Sequence, residues 1–98
     1  MKFSEVINSD KPVLVDFYAD WCGPCKMLAP VLQDLKSELG ERAKIIKIDV
    51  DKNPKLSAKL GIQGVPTLMI YKNGEVKWRQ SGVLPMHELK KVIEQHEN

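Results

Sequence analysis

The sequence predicts an α/β fold, a mixed four-stranded sheet with helices on both faces, in a single domain spanning residues 1–98. Three observations carry this expectation. Val13–Tyr18 is apolar except for Asp16. An amphipathic run ending at Leu39 follows it, and then a β-branched run, Lys44–Val50. Strand–helix–strand implies a parallel pair joined by a right-handed crossover. Thr67–Tyr71 and Glu75–Gln80 flank Lys72-Asn73-Gly74, and Asn-Gly between two strand-like runs marks an antiparallel hairpin. Parallel and antiparallel neighbours in one chain make the sheet mixed.

Each element has a local cause. Phe3–Asn8 forms a short helix with Phe3, Val6 and Ile7 on one side, and Ser9-Asp10-Lys11-Pro12 is a turn. Val13–Tyr18 carries apolar residues at successive positions, as a strand covered on both faces does. The helix from Pro24 to Leu39 aligns Leu28, Val31, Leu32, Leu35 and Leu39 on one stripe. Pro24 suits its first turn, Pro30 is expected to kink it, and Gly40 ends it. Asn53 caps a further helix that Pro54 opens, with Leu56 and Leu60 inward and Gly61 as its stop. Pro85 opens the last helix, whose inward residues are Met86, Leu89, Val92 and Ile93.

Composition removes several function classes. At 43% hydrophobic and 29% charged residues, the chain has the profile of a soluble globular domain. Its net charge is +2, and the lysines are scattered rather than clustered, so nucleic acid is not the expected partner. No apolar run approaches the roughly 18 residues that span a membrane. The first residues lack the apolar segment of a signal peptide, which makes the cytoplasm the expected compartment.

The chemistry centres on Asp20-Trp21-Cys22-Gly23-Pro24-Cys25-Lys26, which contains the only two cysteines. Cys-x-x-Cys at a strand-to-helix junction reads as a redox dithiol. The first thiol can sit at the helix cap and the second one turn on, close enough to bond. Half of a zinc site is the competing reading, as is an inert buried pair. Zinc requires four ligands, and only His87 and His96 remain beside the cysteines, both on the terminal helix, where solvation is expected. Thiol–disulfide exchange needs thiolate, and a free cysteine has a pKa of about 8.5. A helix N-terminus favours an anion by roughly 0.3–1 kcal/mol, and Lys26 adds to it. A total near 1.4 kcal/mol would raise the thiolate fraction at pH 7 from about 3% to about 24%. Cys22 is thus the expected nucleophile. Cys25, inside the helix and expected to be less exposed, is the resolving thiol.

These residues resemble the thioredoxin family. Trp21-Cys22-Gly23-Pro24-Cys25-Lys26 is similar to its active-site signature, and Val15-Asp16-Phe17-Tyr18-Ala19, Gly64-Val65-Pro66-Thr67, Asn73-Gly74 and Gly82 follow the same pattern in the same order. The similarity runs from Phe3 to the C-terminus. It implies a protein-disulfide reductase with no bound cofactor, reduced by an NADPH-dependent flavin-containing thioredoxin reductase. The implied partners are that reductase and disulfide-containing proteins, and the implied state is a monomer. It implies a sheet in the order second, first, third, fourth strand, with the last two antiparallel to the first two. Family members begin with a further strand, which this sequence does not offer, so the edge at Lys44–Val50 is expected to be bare.

The resemblance also implies roles. The matching Asp lies under the second cysteine as its proton acceptor, which assigns Asp16. A buried carboxylate has a raised pKa, which suits that task. Lys47 matches the partner of this Asp, although a plain surface lysine fits the pattern nearly as well. Pro66 is expected in the cis form facing the dithiol, leaving the Val65 backbone open to an extended substrate peptide. Trp21, Gly23, Pro24, Gly64, Val65 and Gly82 then form a low-relief docking surface, while Trp78 is expected to be a packed aromatic. Gly-Pro between the cysteines associates with reductases. A thiol oxidase or isomerase on the same fold and a binding module using the Trp21–Val65 surface are the two alternatives.

Overall fold

The computed structural model describes residues 2–97. Its elements are α1 (Phe3–Val6), β1 (Val13–Tyr18), α2 (Gly23–Leu39), β2 (Lys44–Asp49), α3 (Pro54–Lys59), β3 (Thr67–Lys72), β4 (Glu75–Ser81) and α4 (Met86–Gln95), with a 3-10 turn at Gly40–Arg42. Among the described residues the sheet has four strands in the order β2-β1-β3-β4. β1 and β2 are parallel, with Asp16 opposite Lys47, and β3 is antiparallel to β1, with Leu68 opposite Asp16.

Two cores follow from strand alternation. Successive side chains leave opposite faces of a strand. Leu14, Leu68 and Ile70 pack with Leu28, Leu32, Leu35 and Leu39 of α2 and with Leu89 and Ile93 of α4. Trp78 is half-buried against that cluster. Val13, Val15, Phe17, Met69 and Tyr71 pack on the other face, against Phe3, Leu56 and Leu60. The stripe on α2 therefore covers one side of the sheet, while α1 and α3 cover the other.

The structure corrects several expectations. β4 is antiparallel to β3 and hence parallel to β1 and β2; only β3 runs against them. The reason is the two-residue turn, where Asn73 (φ 53°) and Gly74 (φ 81°) reverse the chain a second time. α1 stops at Val6, short of Asn8. Asn53 makes no side-chain cap; its Nδ2 donates to Asp49 O at 2.9 Å instead. No helix of the described residues is long and apolar enough to cross a membrane.

Candidate functional site

The site forms where β1 hands the chain to α2. Cys22 is the N-cap of α2, with extended backbone (φ −91°, ψ 110°), and its Sγ accepts the Cys25 N–H at 3.1 Å. A helix start leaves backbone donors without intrahelical partners, and here a sulfur takes one of them. Pro24, in the first turn, removes a donor that would otherwise be unsatisfied. Cys22 and Cys25 form a disulfide, their Cα atoms 5.3 Å apart. The expected contrast in exposure is not found, since Cys22 is 3% and Cys25 4% accessible. They differ in surroundings. The Cys22 sulfur lies 3.6 Å from Val65 O. Cys25 lines a cavity of about 130 Å³ shared with Tyr18, Ala29 and Lys47.

The loop facing the disulfide is held from behind. The Val65–Pro66 peptide bond is cis. Thr67 Oγ1 donates to Gly64 O at 2.6 Å and lies 3.1 Å from Ser81 Oγ. Gly82 N–H donates to Pro66 O at 2.9 Å, from a backbone with φ 99° that favours glycine. A Cβ built on Gly23, Gly64 or Gly82 would meet no neighbouring atom within 4 Å, so these positions give a surface of low relief. Trp21 stands beside it with 71% of its surface exposed. Its indole N–H donates to Asp51 Oδ2 at 2.8 Å. Asp51 is itself set by a turn in which its N–H donates to Asp49 Oδ1 at 2.9 Å.

Asp16 lies on the β1 face that α2 covers, by alternation with Leu14. It is 0% exposed, and neither carboxylate oxygen has a hydrogen-bond partner among the described residues. Burial pushes its pKa from the ordinary 3.8 up to about 6, against the opposing pull of Lys47. Lys47 is opposite Asp16 in register and rests its ammonium 4.6 Å from the centre of the Tyr18 ring. The cavity beside Cys25 reaches Lys47 and has room for several waters. Lys26 is an exposed residue of the first turn of α2 and lines the same cavity.

The fold thus gathers Trp21, Cys22, Gly23, Pro24, Gly64, Val65, Pro66 and Gly82 around the disulfide. His87 is an exposed residue of α4, whereas His96, just past the end of that helix, is half-buried rather than solvated. Among the described residues no group of three or more His, Cys, Asp or Glu is arranged to hold a metal ion. The sequence gives no sign of Asp51, and it shows Tyr18 only as a strand residue. Asp51 is 30 residues from Trp21, with no motif to link them. A disulfide capping a helix at the end of a mixed sheet, with an open backbone loop facing it, defines a thiol–disulfide oxidoreductase.

Comparison with known proteins places it more narrowly. The thioredoxin family model matches residues 1–95, and the chain belongs to the thioredoxin family. It is 50% identical over 93 residues to thioredoxin of Haemophilus influenzae, covering 95% of this chain and 87% of that one. Thioredoxin of Bacillus subtilis is 47% identical over 89 residues, covering 91% and 86%. Among solved structures, a mutant thioredoxin from Halobacterium salinarum superposes with a TM-score of 0.87 at 41% identity, covering 97% and 82%. Chloroplastic thioredoxin z gives 0.82 at 41% identity, covering 89% and 79%.

Proposed function

We propose that this protein is a general protein-disulfide reductase in which Cys22 attacks and Cys25 resolves. The observation that carries the reading is Cys22 at the cap of α2, its sulfur accepting the Cys25 N–H and facing Val65 O. Once the disulfide is reduced, the helix start and its N–H favour the Cys22 thiolate. That thiolate attacks one sulfur of a substrate disulfide, forming a mixed disulfide and expelling the other substrate sulfur as thiolate. Cys25 then loses its proton and attacks Cys22 Sγ. The second substrate sulfur leaves as thiolate, and Cys22–Cys25 is restored as a disulfide. Two electrons have passed to the substrate. The proton of Cys25 goes to Asp16, whose carboxylate has a pKa of about 6, matched to accepting a proton near neutrality. Trp21, Gly23, Pro24, Gly64, Val65 and Gly82 receive the substrate chain, which pairs in extended form with the Val65 backbone beside Pro66. Lys26 adds positive charge near the cap.

The protein works as a cytoplasmic monomer, and NADPH supplies the electrons through a thioredoxin reductase. The assay is turnover of a disulfide substrate with NADPH and such a reductase. NADPH consumption that requires this chain supports the reading, and its absence refutes it. The roles are tested by trapping. Cys25→Ser is expected to accumulate a mixed disulfide with substrate, whereas Cys22→Ser traps almost nothing. Equal trapping would show that the roles are not divided in this way.

A further inference from the structure

Among the described residues β2 is an outer strand that pairs on one side only, with β1. In a parallel pair, alternate residues turn their N–H and C=O toward the neighbour. Lys44 N–H donates to Pro12 O and Val50 N–H to Tyr18 O, each at 2.9 Å, so residues 44, 46, 48 and 50 face β1. Ile45 and Lys47 therefore turn their backbone groups outward, where the described residues supply no strand. Asp49 is the next outward residue, and its carbonyl is already taken by Asn53 Nδ2. The open stretch is centred on Ile45 and Lys47.

Grooves flank this edge on both faces. On the α1–α3 side a cavity of about 400 Å³ is lined by Phe3, Val6, Ile46, Ile48 and Leu56, with Lys47 and Asn53 at its margin. On the α2 side a cavity of about 170 Å³ is lined by Ala29, Leu32, Gln33, Lys36, Ile45 and Lys47. A third, of about 480 Å³ at the start of β2, gathers Lys11, Lys36 and Lys44 around one acid, Glu41.

We propose that the β2 edge docks an extended segment of a partner protein in which apolar residues alternate with Asp or Glu. Such a segment adds as a further strand and satisfies the outward N–H and C=O groups of Ile45 and Lys47. Its period of two sends apolar side chains to the α1–α3 groove and acidic ones to Lys36 and Lys47. A second copy of this chain fits poorly. Two β2 edges side by side bring Lys44 and Lys47 of one against those of the other, and like charges directly opposite are destabilising. Edge lysines guard against self-pairing while leaving an acidic strand free to bind.

The test uses the full oxidised chain, amide NMR and the peptide acetyl-Glu-Val-Glu-Val-Glu-Val-amide. The amides of Ile45 and Lys47 are expected to shift and to gain protection from hydrogen exchange. Acetyl-Lys-Val-Lys-Val-Lys-Val-amide should leave them unchanged, and N-methylation of the valines should abolish binding. Lys36→Glu should weaken the acidic peptide about two- to fivefold, the size of one opposite-charge side-chain pair, with disulfide reduction unaltered. The amide spectrum reports whether that variant is folded. Equal response to both peptides, or shifts confined to Trp21 and Val65, would overturn the proposal. So would a sedimenting dimer whose formation alone protects Ile45 and Lys47.

Discussion

Asp16 concentrates the site's electrostatics in one side chain. Its carboxyl takes a proton more readily in the folded chain, at about 6, than in the unfolded one, at 3.8. Wild-type stability therefore falls as pH rises from 3.8 through about 6, and levels off above. At about 1.4 kcal/mol per pH unit the loss is about 3 kcal/mol. Asp16→Asn keeps the shape and removes the buried charge. We expect it to be more stable than wild type by about 1–3 kcal/mol at pH 7.5, with the difference vanishing below pH about 4. Urea unfolding at the two pH values checks this, and an equal difference at both would disprove the buried-acid account. The same variant should slow release of reduced substrate in single-turnover kinetics, since asparagine cannot accept the Cys25 proton. Lys47 holds the Asp16 pKa down. Lys47→Gln should consequently raise the titration midpoint of the Asp16 carboxyl above about 6, read from its carbon resonance. A midpoint that stays or drops would remove Lys47 as its partner. An acid inside an apolar strand marked Asp16 in the sequence. That it has no hydrogen-bond partner among the described residues depends on what β2, β3 and α2 bring against it, and no local pattern encodes that.

At the scale of elements, α2 does two jobs at separate ends. Its first turn caps on Cys22, and its later turns bury Leu28, Leu32, Leu35 and Leu39. Both were legible, because a 3.6-residue stripe and a strand-to-helix cysteine are local signals. Leu35 is fully buried in the cluster with α4. Leu35→Ala should cost about 2–5 kcal/mol and lower the melting temperature by more than about 10 °C. Disulfide exchange below that temperature should persist, because the dithiol lies more than two turns away along the helix. A melting temperature unchanged within error would show that this cluster is not the core. The direction of β4 follows from the Asn73-Gly74 hairpin, which the sequence shows; the arrangement drawn from the family resemblance, with both last strands against the first two, is incompatible with that turn. Asn53 before Pro54 has the sequence of a helix cap, yet its side chain makes no cap bond. Its side chain had a competing acceptor, Asp49 O, that only the folded turn supplies.

Across the whole molecule, the redox pair and the stability of the fold are largely separate. Two leucine- and valine-rich clusters, one on each face of the sheet, hold the domain. The disulfide spans a sequence separation of 3. Closing so short a loop restricts the unfolded chain by only about 2 kcal/mol in the entropic account. Reduction should therefore leave the circular dichroism spectrum at 25 °C unchanged and lower the melting temperature by about 8–16 °C. Unfolding on reduction at 25 °C would show that the pair is structural.

The amino-acid sequence by itself determined the α/β class, the extent of most elements, the hairpin and the dithiol with its helix. These depend on periodicity, turn residues and spacing over a few neighbours, where the chain's own stereochemistry dictates the outcome. The tertiary structure decided the rest. It set Trp21 against Asp51, Lys47 over Tyr18, and Val65 O against Cys22 Sγ. Those relations join residues far apart in the chain. They exist only once strand order and register bring distant side chains within a few ångströms of each other.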